Sequence, residues 1–536
     1  MSEAPHLLSE VTEDGILIAT LNRPDKLNAL SDETMELFEQ ALLRFRDNDD
    51  IKVMLIRARG RYFCAGADLK QGNTEAGMAP TARGIRESHR IDNRNMHRIY
   101  DEMEHIEKPI VIAHHAMCVG GGLEMSLSCD FRLAAKSAGY AFPEGLFGVL
   151  PASNGVSRLA RICGPHWARW LIMANKRADA DMAYAMGLVH RVWPDDVFED
   201  NVMAFCRHLA RQNPEQMGGA KVSIEMAREV GRASARDVER MMNSALMLNP
   251  DYLERIDSYT RNIGGGKAQE PKAEEPHLLT RVEDGVIVCT LNRPDKLNAM
   301  SNEMFELLEV ALHRFRDSDD LKVMLINANG RYFTAGADLK GGDALERPTT
   351  ARGIREMHRV RQRGVHRIHD EMEHIEKPIV VAHHAMCVGG GIELSLCCDF
   401  RFAAASSRYA FPEGLFGVVP ASSGLSRMTR ICGTHWTRWL IMGNEQADAD
   451  MALAMGLVHQ VFPDESFEHE VWDFCLHLAR QNGEQMGAAK VAIELCAEVG
   501  CDTGRHVERM GNSALMLNPD YLAGIAEYLK GVGGKG

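Results

Sequence analysis

The chain carries the same text twice. LNRPDKLNA stands at 21–29 and again at 291–299, AHHAMCVGGG at 113–122 and 382–391, YAFPEGLFGV at 140–149 and 409–418, and NSALMLNPDYL at 243–253 and 512–522. The offset is 270 residues between Asp68 and Asp338 and 269 between Glu124 and Glu393, so the second copy loses one residue in the loop after Lys340. A period this long excludes a solenoid, whose repeats run to about 20–50 residues. Each copy is long enough to bury a core of its own. Between them lies RNIGGGKAQEPKAEEP, rich in Gly, Lys, Glu and Pro and without apolar periodicity, which reads as an exposed linker. The expected organisation is one domain over 1–260, a linker over 261–276 and a second domain over 277–536.

Composition narrows the class. Apolar residues make up 45% of the 536 and charged residues 25%, which excludes disordered, collagen-like and disulfide-scaffold chains. A formal charge of −14 and a pI of about 5.9 lack the basic footprint of a nucleic-acid binder. No apolar run approaches the roughly 18 residues of a membrane span. The opening MSEAPHLLSEVTEDG lacks a signal core or an Arg-rich transit pattern, so the expected location is the cytoplasm. The 13 cysteines are odd in number and include no CxxC pair, which points to buried thiols rather than a zinc site or disulfide framework.

Each copy alternates strand and helix patterns. In the first, 16–23, 53–60, 109–116, 131–135 and 140–142 read as strands. Ser31 is placed to cap a helix running to about Asp47, with Leu37, Phe38, Ala41, Leu42 and Phe45 inward. A polar helix over 84–106 carries Arg83, Arg86, His89, Arg90 and Arg94 at or near its start, facing solvent or a phosphate. From Ser153 to about Gly187, and over the last 60 residues of the copy, the pattern is helical. The fold class expected is α/β with a helical C-terminal region, present twice.

Three motifs carry candidate chemistry. CAGADLK (64–70), matched by TAGADLK (334–340), follows an apolar strand, and its small residues let a ligand approach backbone N–H groups, or simply make a tight turn. VGGGLE (119–124), matched by VGGGIE (388–393), puts bare N–H groups between a buried strand and a helix start, where an oxyanion or phosphate is stabilised. The third motif is a carboxylate pair, Glu124 with Glu144 and Glu393 with Glu413, each 20 residues apart in apolar surroundings. Two desolvated glutamates at one molecule divide acid and base work; the structural alternative is a salt bridge to Arg132 or Arg158. The His114–His115 pair lies in a strand, so its side chains face opposite ways and suit packing better than a metal. Trp167 and Trp170 read as packing residues.

In this order, LNRPDKLNAL, YFCAGADLK, GGGLEMSLSCDFRLAA, FPEGLFGVLP and AMGLVHRV resemble the crotonase superfamily, the enoyl-CoA hydratase/isomerase family, in both copies nearly end to end. The resemblance implies a ClpP/crotonase-like spiral of ββα units followed by helices that help cover an acyl pocket. It implies an acyl-CoA thioester substrate whose oxygen is held by two backbone N–H groups, here Ala67 and Gly121, and Ala337 and Gly390. Ala65, Ala67, Asp68, Leu69 and Lys70, with Ala335, Ala337, Asp338, Leu339 and Lys340, match the segment lining the CoA path, and Lys26 and Lys296 match further CoA contacts.

Glu124, Glu144, Glu393 and Glu413 match the two glutamates that hydratases of the family use to add water across the Cα=Cβ bond of a 2-enoyl-CoA. Isomerisation, C–C cleavage and thioester hydrolysis are the family's alternatives, as is one copy serving as a non-catalytic binding or assembly module. No metal or redox cofactor is implied beyond the CoA of the substrate; nor is a nucleic acid or membrane partner. A homo-oligomer is implied, and trimers are common in the family, so three tandem chains would supply six units.

Where the family has a PGxGG-like helix start, this chain has Pro151-Ala152-Ser153-Asn154-Gly155 and Pro420-Ala421-Ser422-Ser423-Gly424. Ser153 and Ser422 are expected to cap that helix or to place a hydroxyl near the pocket. The segments GNTEAGMAPTARG and GGDALERPTTARG, which shape the acyl pocket in the family, differ between the copies.

Overall fold

In the computed structural model, described over residues 4–68, 94–151, 153–250, 252, 254–256, 258, 275–339, 349–361 and 363–516, each copy folds into two sheets and surrounding helices. The linker residues 261–274, the polar segment 69–93, and Leu69, Lys70 and Lys340 lie outside the described residues.

The large sheet of copy 1 has the order β1-β2-β3-β5-β7-β10: Leu7–Val11, Ile16–Leu21, Val53–Ala58, Ile110–His114, Phe131–Ala135 and Arg191–Trp193. Only β1 runs antiparallel. The small sheet is β4-β6-β8-β9, from Tyr62–Cys64, Met117–Val119, Gly139–Ala141 and Ala178–Asp179. Copy 2 repeats both, with Leu278–Glu283, Val286–Leu291, Val323–Ala328, Ile379–His383, Phe400–Ala404 and Gln460–Phe462 in the large sheet and Tyr332–Thr334, Met386–Val388, Arg408–Ala410 and Gln446–Asp448 in the small one. The pairs β3/β4, β5/β6 and β7/β8 each send one strand to the large sheet and the next to the small one before a helix follows, which is the expected ββα spiral. The parallel strands β2, β3, β5 and β7 are covered on both faces and read as continuous apolar runs for that reason.

Local sequence sets the elements. Ser31 accepts a hydrogen bond from the Thr34 N–H (3.2 Å) and caps helix Asp32–Asp47, which buries Thr34, Phe38, Ala41, Leu42 and Phe45 along one stripe; Leu37 sits half-buried at its edge. The helical reading of 153–187 needs correction. Helix Gly155–Ala168 kinks at Gly164 (φ 77°) before Pro165 and continues as one wide turn, Arg169–Met173. It then yields to β9 and a short helix, Ala180–Ala185. Nor is Ser153 its cap: Asn154 takes that place in a left-handed conformation, without a side-chain cap bond. The cysteines from Cys64 to Cys475 are unpaired and buried, and Cys496 is half-buried.

The copies pack on one another. The two C-terminal helices of copy 1, Pro214–Glu229 and Arg232–Leu246, lie across helix Gly424–Thr437 of copy 2, and Arg232–Leu246 also meets Ala351–Arg361. The first is tied to its own sheet by Lys221, which donates to the Asp130 carboxylate (3.0 Å) and the Met103 carbonyl (2.9 Å). Arg132 donates to Nδ1 of His435 across the contact (2.9 Å), and the His190 ring stacks on His435 with centroids 3.6 Å apart while its Nε2 donates to the His435 carbonyl. Burial and the neighbouring Arg132 hold both imidazoles neutral, well below their ordinary range. Trp439 stacks on Phe205 at 5.3 Å. Trp439→Ala is therefore expected to lower unfolding free energy by about 3–5 kcal/mol, against less than about 0.5 kcal/mol for Val310→Ala on an exposed helix face; denaturant titration of each variant checks both.

Candidate active site

The small sheet assembles the site. Its parallel strands β4, β6 and β8 end side by side, and the chain leaving them delivers Ala67, Gly121 and Glu144 to one place, the C-terminal strand edge where ligands of parallel sheets bind.

Ala67 is held by the turn that begins each copy's first long motif. Arg23 donates to the Ala29 carbonyl (2.8 Å) and the Asp68 carboxylate (2.9 Å). Asn28, left-handed at φ 54°, accepts from the Arg23 N–H and donates to the Arg59 and Tyr62 carbonyls. Leu30 bridges Ala67 in parallel, using the Gly66 carbonyl and the Asp68 N–H. That pattern turns the Ala67 N–H away from the bridge. Gly120 has φ 54°, and a methyl group on it would sit 2.9 Å from Glu144 Oε1. The next residue starts helix Gly121–Leu127, and a methyl group on Gly121 would lie 3.5 Å from the Ala67 nitrogen. The two amides are thus neighbours beside Glu144. Arg293, Asn298, Met300, Ala337 and Gly390 repeat the arrangement.

The two glutamates differ in surroundings. Glu124 Oε1 accepts from the backbone N–H groups of Ser153 (2.7 Å) and Gly155 (3.1 Å). Gly155 has to be glycine, since a methyl group would stand 2.7 Å from that oxygen. Arg158 donates to the Ser153 carbonyl and pairs with Glu104 and Asp101, so it positions the loop rather than binding Glu124. Arg132 bonds the Leu188 and Cys129 carbonyls. The salt-bridge alternative is not what the structure holds. Burial raises the Glu124 carboxyl, and its two amide donors and Arg158 pull it back.

Glu144 Oε2 is buried with no hydrogen-bond partner among the described residues. Burial, with a smaller push from the Glu124 charge, takes its carboxyl up to about 7. Glu393 likewise accepts from Ser422 (2.8 Å) and Gly424 (3.1 Å), and burial raises Glu413 to about 8.

Other sequence candidates fall into place around this centre. Ala65 and Ala335 lie half-buried at the strand ends, and Ala67 and Ala337 are exposed. The Asp68 and Asp338 carboxylates are taken by Arg23 and Arg293. Leu339 is exposed, as are Lys26 and Lys296 on their turns. His114 bonds the Tyr140 hydroxyl and His115 the Gly60 carbonyl, on opposite faces. Sequence reasoning missed Arg23, Asn28 and Tyr100. Tyr100 is buried and donates to the Gly121 carbonyl (3.1 Å). Copy 2 has buried His369 there, held neutral by burial and Arg427. Aligning the copies over 94–105 exposes that difference.

The model of the family Enoyl-CoA hydratase/isomerase matches residues 11–261 and 281–530, and the chain belongs to this family, twice over. It is 28% identical over 258 residues to 1,2-epoxyphenylacetyl-CoA isomerase of Escherichia coli (strain K12), covering 47% of this chain and 94% of that protein. It is 33% identical over 244 residues to carnitinyl-CoA dehydratase of Salmonella typhi, covering 44% and 82%. The crystal structure of an enoyl-CoA hydratase from Bacillus anthracis aligns at 25% identity with a TM-score of 0.44, over 48% of this chain and 96% of that one.

Glu413 binds its proton more tightly folded than unfolded. Its contribution to stability is therefore complete below the ordinary carboxyl value of 4.5 and is lost as pH rises through about 8. Glu413→Gln is expected to raise Tm over the native chain by at least about 2 °C at pH 9 and to leave it unchanged at pH 4, as read by thermal denaturation across that range.

Proposed function

We propose that each copy adds water across the Cα=Cβ bond of a 2-enoyl-CoA, as a hydro-lyase of its family. The observation carrying this reading is the unequal glutamate pair beside two adjacent backbone N–H groups. Glu124, with two amide donors on one oxygen opposing the upward push of burial, is the member that takes a proton from water. Glu144, whose buried Oε2 has no partner among the described residues, keeps its proton to near neutrality and delivers it. The water oxygen bonds Cβ, the Cα=Cβ π electrons shift to the thioester oxygen, and the resulting enolate takes the Glu144 proton at Cα. Glu124 then carries the water's proton, and exchange with solvent restores both groups.

The Ala67 and Gly121 N–H groups hold the enolate oxygen; donors of this kind are worth on the order of 10²–10³ in rate. In copy 2 the roles fall to Glu393, Glu413, Ala337 and Gly390. The CoA moiety runs past Ala65–Lys70 and Lys26, or Ala335–Lys340 and Lys296. Because Arg23 and Arg293 occupy Asp68 and Asp338, these two serve through their backbone.

A chain with Glu393 and Glu413 both changed to Gln retains copy 1 alone, and the Glu124→Gln, Glu144→Gln chain retains copy 2 alone. Each is expected to hydrate enoyl-CoA thioesters, followed by loss of the enoyl absorbance with product identity checked by mass, and the fourfold variant to lose the activity by about 10²-fold or more. An isomerised or cleaved product in place of the 3-hydroxyacyl thioester would overturn the reading. Turnover of copy 1 in the isolated chain falls as pH rises through about 7, where Glu144 loses its proton, and that of copy 2 through about 8. The pH profiles of the two chains check this order.

A further inference from the structure

The helix behind each site is nearly the same text in both copies. Arg94–His105 reads RNMHRIYDEMEH and Arg363–His374 reads RGVHRIHDEMEH. Three residues change, Asn95 to Gly364, Met96 to Val365 and Tyr100 to His369, and each becomes smaller. Two of the three touch the catalytic centre in copy 1. The Ser153 hydroxyl donates to Met96 Sδ (3.0 Å), on the loop whose amides hold Glu124, and the Tyr100 hydroxyl donates to the Gly121 carbonyl (3.1 Å). Copy 1 thus closes this side of its site with a thioether and with a phenol whose hydroxyl is already bonded.

Copy 2 puts ring nitrogen there. Val365 ends one atom short of the sulfur it replaces. His369 is 1% exposed, and neither of its nitrogens has a hydrogen-bond partner among the described residues. It sits among Ser422, whose N–H holds Glu393, the Arg427 guanidinium and His366. The Ser422 carbonyl beside it accepts from Arg427 instead (2.9 Å), and Arg427 directs its other donors to Glu373. Nε2 of His366 is likewise buried without a partner among the described residues. Burial and Arg427 keep His369 neutral, so one of its nitrogens donates and the other accepts. Buried polar atoms left unpaired are costly, and three in one place require a group to meet them. Glu413 Oε2 is shielded as fully, so a substrate has to open this centre in any case.

We propose that copy 2 takes 2-enoyl-CoA thioesters whose acyl chain carries a hydroxyl group, with His369 as the residue that selects them, while copy 1 takes unsubstituted aliphatic chains. A hydroxyl both donates and accepts, so it satisfies an imidazole nitrogen in either tautomer. A carboxylate would join Glu373 and Asp370, which already stand against Arg427. An apolar chain would leave the nitrogens unpaired. In copy 1 the same hydroxyl would leave water for the Met96 thioether and the Tyr100 ring, and lose hydrogen bonds by doing so. The assignment rests on the hydration proposed above and gives its two sites different substrates.

The test compares pairs of 2-enoyl-CoA thioesters of equal chain length, with and without a hydroxyl at C4, C5 or C6. In the Glu124→Gln, Glu144→Gln chain, which retains copy 2 alone, kcat/KM is expected to favour at least one hydroxylated member by about tenfold or more. In the Glu393→Gln, Glu413→Gln chain it is expected to favour the unsubstituted member of each pair by about tenfold. His369→Tyr in the first background moves the preference to that of copy 1, whereas His369→Gln, which keeps a donor and an acceptor, retains it. Equal preferences in the two backgrounds, or the native preference in a folded His369→Tyr chain, overturn the proposal. Tyr100→His in the second background tests the position without touching copy 2. The preference of copy 1 for unsubstituted chains is expected to disappear, and an unchanged preference overturns the role of this position. Hydration of no member by either chain refutes the function proposed above instead. The pocket is then read by calorimetry with the saturated acyl-CoA pairs: one site of the native chain is expected to bind a hydroxylated member about tenfold more tightly and to lose that preference in His369→Tyr, and equal affinity for both members overturns the proposal.

Discussion

Each copy buries one carboxyl group, Glu124 or Glu393, where backbone amides, and not a cation, stand against it. That constraint organises the surrounding structure. A buried carboxylate without compensation is costly, so the Ser153–Gly155 loop has to present two N–H groups to Glu124 at 2.7 and 3.1 Å. Arg158 clamps that loop through the Ser153 carbonyl, and Glu104 and Asp101 anchor the clamp to helix Arg94–His105. Gly155 leaves room for the carboxylate, and Gly120 leaves room for Glu144. The same helix carries Tyr100, whose hydroxyl fixes the carbonyl of Gly121. The glutamates, the amides and the helix behind them form one polar assembly inside an apolar shell.

Much of this was legible in the sequence because it depends on backbone and on residue size. The Ser31 cap, the apolar strands β2, β3, β5 and β7, the GGG turn and the glutamate pair are local patterns. What escaped depends on contacts between distant segments. Nothing near Asn28 shows that it will turn left-handed and span 31 and 34 residues to Arg59 and Tyr62. The strands β4, β6 and β9 are two or three residues long, too short for alternation to register, yet two of them set the position of both amides. The continuous helical pattern from 153 to 187 hid a break because Gly164-Pro165 tolerates an apolar stripe on both sides of its kink. Ser153, read as a cap or a pocket hydroxyl, contributes its backbone N–H instead.

The copies also show how far environment, rather than sequence, sets a carboxyl's chemistry. Glu144 and Glu413 stand in the same ten-residue text, YAFPEGLFGV. The helices of copy 1 close over the second but not the first, and burial lifts Glu413 to about 8 against about 7 for Glu144. Likewise His190 and His435 are stacked, desolvated and neutral between the copies, while His459 and His166, their sequence counterparts, meet solvent.

The asymmetry follows from geometry once the contact between units is head-to-tail. Such a contact uses two different surfaces of one unit, so two linked units bury one of each and leave one of each open. The open surfaces are the sequence counterparts of surfaces paired within the chain. An isologous contact would have consumed the same patch on both copies and left no such pair.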